Sequence, residues 1–130
     1  MAGERDLEKL LALLQPKMAH GEFVFCTVGD KDYGALAALQ PIASYREEEG
    51  LSLVLSKGVA DEAGLAYESL FNCISLNVHS SLDAVGLTAA VASKLAVNGI
   101  SANVIAAYYH DHIYVPTDKA ELALQLLSQL

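Results

Sequence analysis

The sequence predicts an α+β protein: two ferredoxin-like βαββαβ units in tandem, each an antiparallel sheet with its helices on one face. Three observations predict it. Apolar residues alternate along the chain between helical spacing and short β-branched runs. The resulting order is α-β-β-β-α over residues 1–65 and β-α-β-β-α over residues 66–130, so the first half reads as permuted or incomplete. Finally, 130 residues suffice for one compact domain or two very small ones.

In RDLEKLLALLQP, Leu7, Leu10, Leu11 and Leu14 fall at i, i+3, i+4 and i+7, one stripe of an amphipathic helix, and Pro16 ends it. The run EFVFCTV at residues 22–28 reads as a strand and GDKDYG at 29–34 as a solvated turn. Strands Ile42 to Glu48 and Leu51 to Ser56 flank a corner where Gly50 supplies the unusual backbone angle. Glu47, Glu48 and Glu49 make that corner a solvated hairpin tip, with a cation site as the rarer alternative. A short helix from Val59 to Leu65 follows.

The apolar run SLFNCISLNV at residues 69–78 is expected to be a central strand. The next segment turns helical, with Leu87, Val91, Leu95 and Asn98 on one line, Ala84, Ala92 and Ala96 beside it, and Gly99 at the C′ position. ISANVIAAYY and HIYVP are two further strands, the second ended by Pro116. In the last segment Asp118 and Glu121 have capping-box spacing, and Ala120, Leu122, Ala123, Leu124, Leu126, Leu127 and Leu130 spread over an arc wide enough to be covered on more than one side, by a partner chain among other means.

Charge excludes one class of partner. Eight basic residues against sixteen acidic ones leave a formal charge of −8, and no Lys/Arg cluster offsets it, so nucleic acid is not an expected partner. No apolar run approaches the ~20 residues of a membrane span. The N-terminal MAGERDLEKLL has mixed charges and no apolar region of the signal-peptide kind, so a cytoplasmic address and no membrane partner are expected. Cys26 and Cys73 lie singly in apolar runs without CxxC spacing and read as buried free thiols.

No nucleophile elbow, P-loop, dinucleotide fingerprint or HExxH motif occurs, so no catalytic residue and no cofactor is assigned. In YYHDHIYVP, His110 and His112 are two apart and share a face of an extended segment, while His79 ends a neighbouring strand. Their convergence on a metal is the alternative to a polar hairpin tip with Asp111 at the reversal. A helix beginning near Ala84 leaves backbone N–H groups that favour an anion. Asp83 then either caps that helix or faces a ligand, Gly86 permits close approach, and Ser80 and Ser81 offer hydroxyls. Asn103 is polar in an apolar strand and needs a hydrogen-bond partner wherever it is buried.

The run VHSSLDAVGLTAAVASKLAVNGISANVIAAYYHDHIYVP resembles the ACT domain family, with D-x-x-G spacing at Asp83 and Gly86, a helix carrying Leu95, and Gly99-Ile100 opening the next strand. Glu49-Gly50 ahead of LSLVL extends the resemblance to small bacterial stand-alone two-ACT proteins. The resemblance implies a non-enzymatic regulatory module, a homodimer, and an amino acid or similar small carboxylate as ligand. It implies ligand contacts at Ser80, Ser81, Asp83, Ala84, Val85 and Gly86, and at Ile100, Ser101, Ala102 and Asn103 on the strand after Gly-Ile. The competing readings are an interaction module with no ligand, and a metal binder using His79, His110 and His112.

Overall fold

A computed structural model describes residues 6–29, 34–79, 83 and 85–130, the side chain of residue 35 excepted. In chain order the elements are α1 (Leu7–Ala12), β1 (Pro16–Met18), β2 (Phe23–Val28), α2 (Gly34–Leu39), β3 (Ala43–Arg46), β4 (Leu51–Ser56), α3 (Lys57–Ala63), β5 (Phe71–Leu76), α4 (Leu87–Ala96), β6 (Asn103–Ala106), β7 (Asp111–Pro116), a 3-10 turn (Thr117–Lys119) and α5 (Ala120–Leu127). They gather into two compact units, one formed by the residues up to His20 with Asn72–Leu130, the other by Gly21–Phe71.

In the first unit the strands lie in the order β1-β5-β7-β6. The run β5-α4-β6-β7-α5 is a ferredoxin-like unit up to its second helix. The fourth strand comes from far earlier in the chain, because Pro16, Lys17 and Met18 pair antiparallel with Leu76, Ser75 and Ile74. This is why residues 6–20 group with the C-terminal half, a division different from the sequence boundary at residue 65. A strand after Pro16 was not expected; as the first strand residue, the proline withholds a donor only at the end of the ladder.

Helices α1, α4 and α5 share one core with that sheet. Leu10 and Leu14 from the first, Leu87, Val91 and Leu95 from the second, and Ala120, Ala123, Leu126 and Leu127 from the third pack with Ile74, Leu76, Ile113 and Val115. The wide apolar arc of α5 is consumed here, since Leu124 and Leu130 also pack on this core and only Leu122 is exposed. Helix α5 packs against α4, β1 and β7. Its predicted capping box does not form: a 3-10 turn precedes α5 and neither has a side-chain cap.

The second unit has the strand order β3-β4-β2, and Phe23 pairs with Phe71. Directly opposed pairs Val24/Leu55, Cys26/Leu53 and Val28/Leu51 put their side chains on one face, where Leu36 and Leu39 of α2 and Val59 and Ala60 of α3 cover them. The helix α2, GALAAL, was not expected: six residues are too few to show a period, and its first turn carries no acidic residue. Glu47, Glu48 and Glu49 are exposed at the β3–β4 tip. Glu47 and Gly50 exchange backbone hydrogen bonds there, and the Ser52 hydroxyl donates to the Glu47 carboxylate.

Gly50 is buried, and a Cβ at this position would lie 2.7 Å from the Val28 carbonyl oxygen and 2.9 Å from the Gly29 Cα. Both obstacles are backbone, which cannot swing aside as a side chain does. Gly50→Ala should therefore lower unfolding stability by about 2 kcal/mol or more, read from the urea midpoint at unchanged m-value.

Candidate functional site

Helix α4 begins at Leu87, three residues later than expected from Ala84. Its N-cap is Gly86, held at φ 99°, a left-handed conformation that disfavours any residue with a Cβ. Asp83 is therefore not the N-cap residue. The Ala90 N–H reaches the Gly86 carbonyl at 2.8 Å, so the N–H groups of Leu87, Thr88 and Ala89 stand outside the intrahelical ladder, at the positive end of the helix dipole. The close approach that Gly86 permits is already used: Leu7 Cδ2 of α1 sits 3.1 Å from where a Cβ would be. Ser80, Ser81 and Ala84 lie outside the described residues. Asp83 and Val85 are exposed.

The remaining predicted contacts are elsewhere. Ile100 follows the other end of α4, where its N–H bonds the Leu95 carbonyl at 3.0 Å and Gly99 turns the chain at φ 73°. A helix of 10 residues is about 15 Å long, so Ile100 and Ser101 are about that far from Gly86. Asn103 stands at the same far end of β6, and its side chain donates to the Tyr114 carbonyl at 3.3 Å on the paired strand. Ile100 is buried in the core, whereas Ser101 and Asn103 are exposed. One copy of this unit does not bring the two predicted groups together.

What the first turn of α4 does meet is Asp111. Leu76, Leu87, Thr88, Val91, Val104, Asp111 and Ile113 line one narrow crevice, closed so tightly that it has no room for a water molecule. Sequence reasoning placed Asp111 at a chain reversal and passed over Thr88. The reversal is in fact at Tyr108 and Tyr109, closed by the Ala107 N–H to the His110 carbonyl at 3.1 Å, and Asp111 is the first residue of β7, opposite Ala106. Because Val104 pairs with Ile113 on the core face, the two-residue period puts Asp111 on that face too.

The opposite face of β5 and β7 is polar. The Ser75 hydroxyl and His112 Nδ1 are 2.7 Å apart, and Tyr114, 2% exposed, hydrogen-bonds Cys73. Burial pushes the Cys73 and Cys26 thiols above their ordinary range, which keeps them protonated and unreactive. Tyr114 is likewise pushed up, by burial first and then by Cys73. The three candidate metal ligands form no cluster: His79 packs on Tyr109 at 5.4 Å and Tyr108 at 6.3 Å between ring centroids, and His110 lies 6.5 Å from both Tyr109 and His112. Among the described residues no three His, Cys, Asp or Glu side chains group to hold a metal ion, and no helix is long and apolar enough to cross a membrane.

Two ferredoxin-like units in one short chain define a small α+β protein built from tandem units of one kind. ACT-domain family models match residues 2–72 and 68–129, and the chain belongs to the ACT domain family, whose members are regulatory modules for small molecules such as amino acids. A Vibrio cholerae protein of unknown function, described as a possible transport protein, is 56% identical over 93% of this chain and 92% of its own, with a TM-score of 0.85. An Agrobacterium tumefaciens protein is 20% identical over 88% and 86%, with a TM-score of 0.72. The ligand-free regulatory subunit of Thermus thermophilus aspartate kinase is 15% identical over 88% and 95%, with a TM-score of 0.60, which is a likeness of fold. No curated protein sequence matches the chain.

The imidazole of His112 is held below its ordinary value of 6.5, by burial first and then by His110, with Asp111 opposing. The unfolded chain thus binds a proton at higher pH than the fold does, and stability rises with pH through this window. The contribution is complete above about pH 6.5 and is lost as the pH falls through the depressed value. Urea midpoints should fall between about pH 7.5 and about pH 5.5, and His112→Gln should flatten that slope.

Proposed function

We propose that this protein is a stand-alone ACT-type sensor that binds an amino acid at the first turn of α4 and acts as a homodimer on a protein partner. The observation that supports the reading is that Thr88 in the first turn of α4 and Asp111 of β7 line one crevice, which is closed as it stands and has to open to admit a ligand. The helix end there favours an anion and Asp111 supplies the opposite preference within the same crevice, a pairing suited to the carboxylate and ammonium groups of one α-amino acid. Asp83, Val85 and Gly86 lead into this turn, and Ser80, Ser81 and Ala84 belong to the proposed contact set by sequence alone.

The dimer follows from the separation of the two contact groups. Ile100, Ser101 and Asn103 lie at the far end of α4, so a ligand touched by both groups must sit between copies, one presenting its α4 turn and the other its β6 end. Ligand binding then favours one packing of the pair by its difference in affinity for the two arrangements, which is the whole of its regulatory effect. The aspartate kinase regulatory subunit supports the fold of such a module and leaves the ligand to be identified by experiment. A cytoplasmic location fits this role.

A thermal-shift screen of the twenty amino acids tests the reading. A ligand at 100 times its Kd adds about 2.7 kcal/mol, and the responding amino acid should raise the proportion of dimer in sedimentation. Asp111→Asn should weaken that amino acid about tenfold or more while sparing the corresponding 2-oxo acid. A flat response across the screen removes the sensor reading.

A further inference from the structure

The hairpin tip between β6 and β7 carries a row of rings that the ligand reading does not use. Tyr108 and Tyr109 meet edge to face at 5.0 Å, Tyr109 meets His79 at 5.4 Å and His110 at 6.5 Å, and His110 meets His112 edge to face at 6.5 Å. The row ends on β5, where His112 Nδ1 bonds Ser75. His79 stands between β5 and the turn that opens α4, so the tip is attached through rings to the segment that leads into the candidate site.

One atom in this row is out of keeping with a permanent structural role. His110 Nδ1 is buried and has no hydrogen-bond partner. Neutral imidazole tolerates this with Nδ1 as the acceptor nitrogen. In the imidazolium both nitrogens are donors, and a buried N–H without an acceptor has to be hydrated, which requires the ring to leave its place.

We propose that the ring row is a proton-operated clamp: with His110 and His112 neutral it holds His79 against the hairpin tip, and protonation of the pair detaches the tip from His79. The groups around the pair decide the direction. Asp111 on β7 attracts a proton to His112, but its side chain lies on the core face and the two imidazoles repel each other's charge. From β5 the pair faces Ser75 and Cys73, the thiol protonated; from β7, Tyr114; from β6, Ile105 opposite His112 and Asn103 beside it; from the tip and the segment after β5, Tyr108, Tyr109 and His79. Lys17 on β1 pairs with Ser75 and adds a positive charge on this face. Burial first and then His110 hold the His112 imidazole below its ordinary value.

The clamp is independent of whether an amino acid binds, and so is its test. Ring contacts in the unliganded full chain can be followed by NMR between about pH 8 and about pH 5, a range that spans imidazole titration, using the nuclear Overhauser effect between His79 and Tyr109 alongside the Cε1–H signals of His110 and His112. The contact should disappear together with protonation of the pair while core methyl signals of Leu95 and Val115 stay in place. In His110→Phe, which keeps the ring and removes the proton, it should persist to the acid end. A His79–Tyr109 contact that survives full protonation of both histidines in the wild type overturns the proposal without any variant. Equal loss in His110→Phe overturns it as well. For a His110→Phe chain that fails to fold, His110→Gln gives the same comparison.

Discussion

Three backbone pairs, Pro16, Lys17 and Met18 with Leu76, Ser75 and Ile74, hold the first unit together across nearly half the length of the chain. With β1 in place, β5 is flanked on both sides and is a central strand, as its apolar composition requires. The same pairing brings α1 onto the unit. Leu10 and Leu14 then enter the core, and Leu7 reaches the N-cap of α4. Long-range closure of this kind is entropically costly and slow to form. Its effect on the site is direct, because Leu7 of α1 lies against Gly86, with its Cδ2 3.1 Å from where a Cβ would be.

The two faces of β5 and β7 divide the work of the first unit. Ile74, Leu76, Ile113 and Val115 face the helices and supply burial, while Cys73, Ser75, His112 and Tyr114 form a polar layer on the reverse. A buried polar layer stabilises a fold only when its members satisfy one another. Ser75 with His112 and Cys73 with Tyr114 do so, and the raised thiol and phenol keep the layer uncharged near neutral pH. His110 is the exception in this layer, and it lies next to the exposed tyrosine tip, so the least satisfied position adjoins the most solvent-accessible part of the hairpin.

Sequence proximity and spatial proximity part company around α4. Gly99-Ile100 and the Asp83–Gly86 turn flank the helix in sequence, and the rise of the helix separates them by its whole length. Asp111 travels the other way: remote from Thr88 in sequence, it returns to the first turn of α4 because β7 runs antiparallel to β6 and starts where β6 ends. The acid beside the helix end therefore comes from the hairpin that sequence reasoning had treated as a solvated corner.

The sequence by itself determined the elements whose chemistry is local. The Leu7, Leu10, Leu11 and Leu14 stripe, the Gly50 corner, the Leu87, Val91 and Leu95 line and the Gly99 turn depend on residue spacing and backbone freedom, both of which can be read directly. The α+β class and the tandem arrangement follow from the order of such elements, and the resemblance of residues 78–116 to ACT domains led to the family. Tertiary structure decided which strand completes which unit, which side of Gly86 is occupied, and which acid stands at α4. Those outcomes depend on pairing between segments far apart in the chain, and a three-residue strand such as Pro16–Met18 is too short to announce its partner through any period of its own.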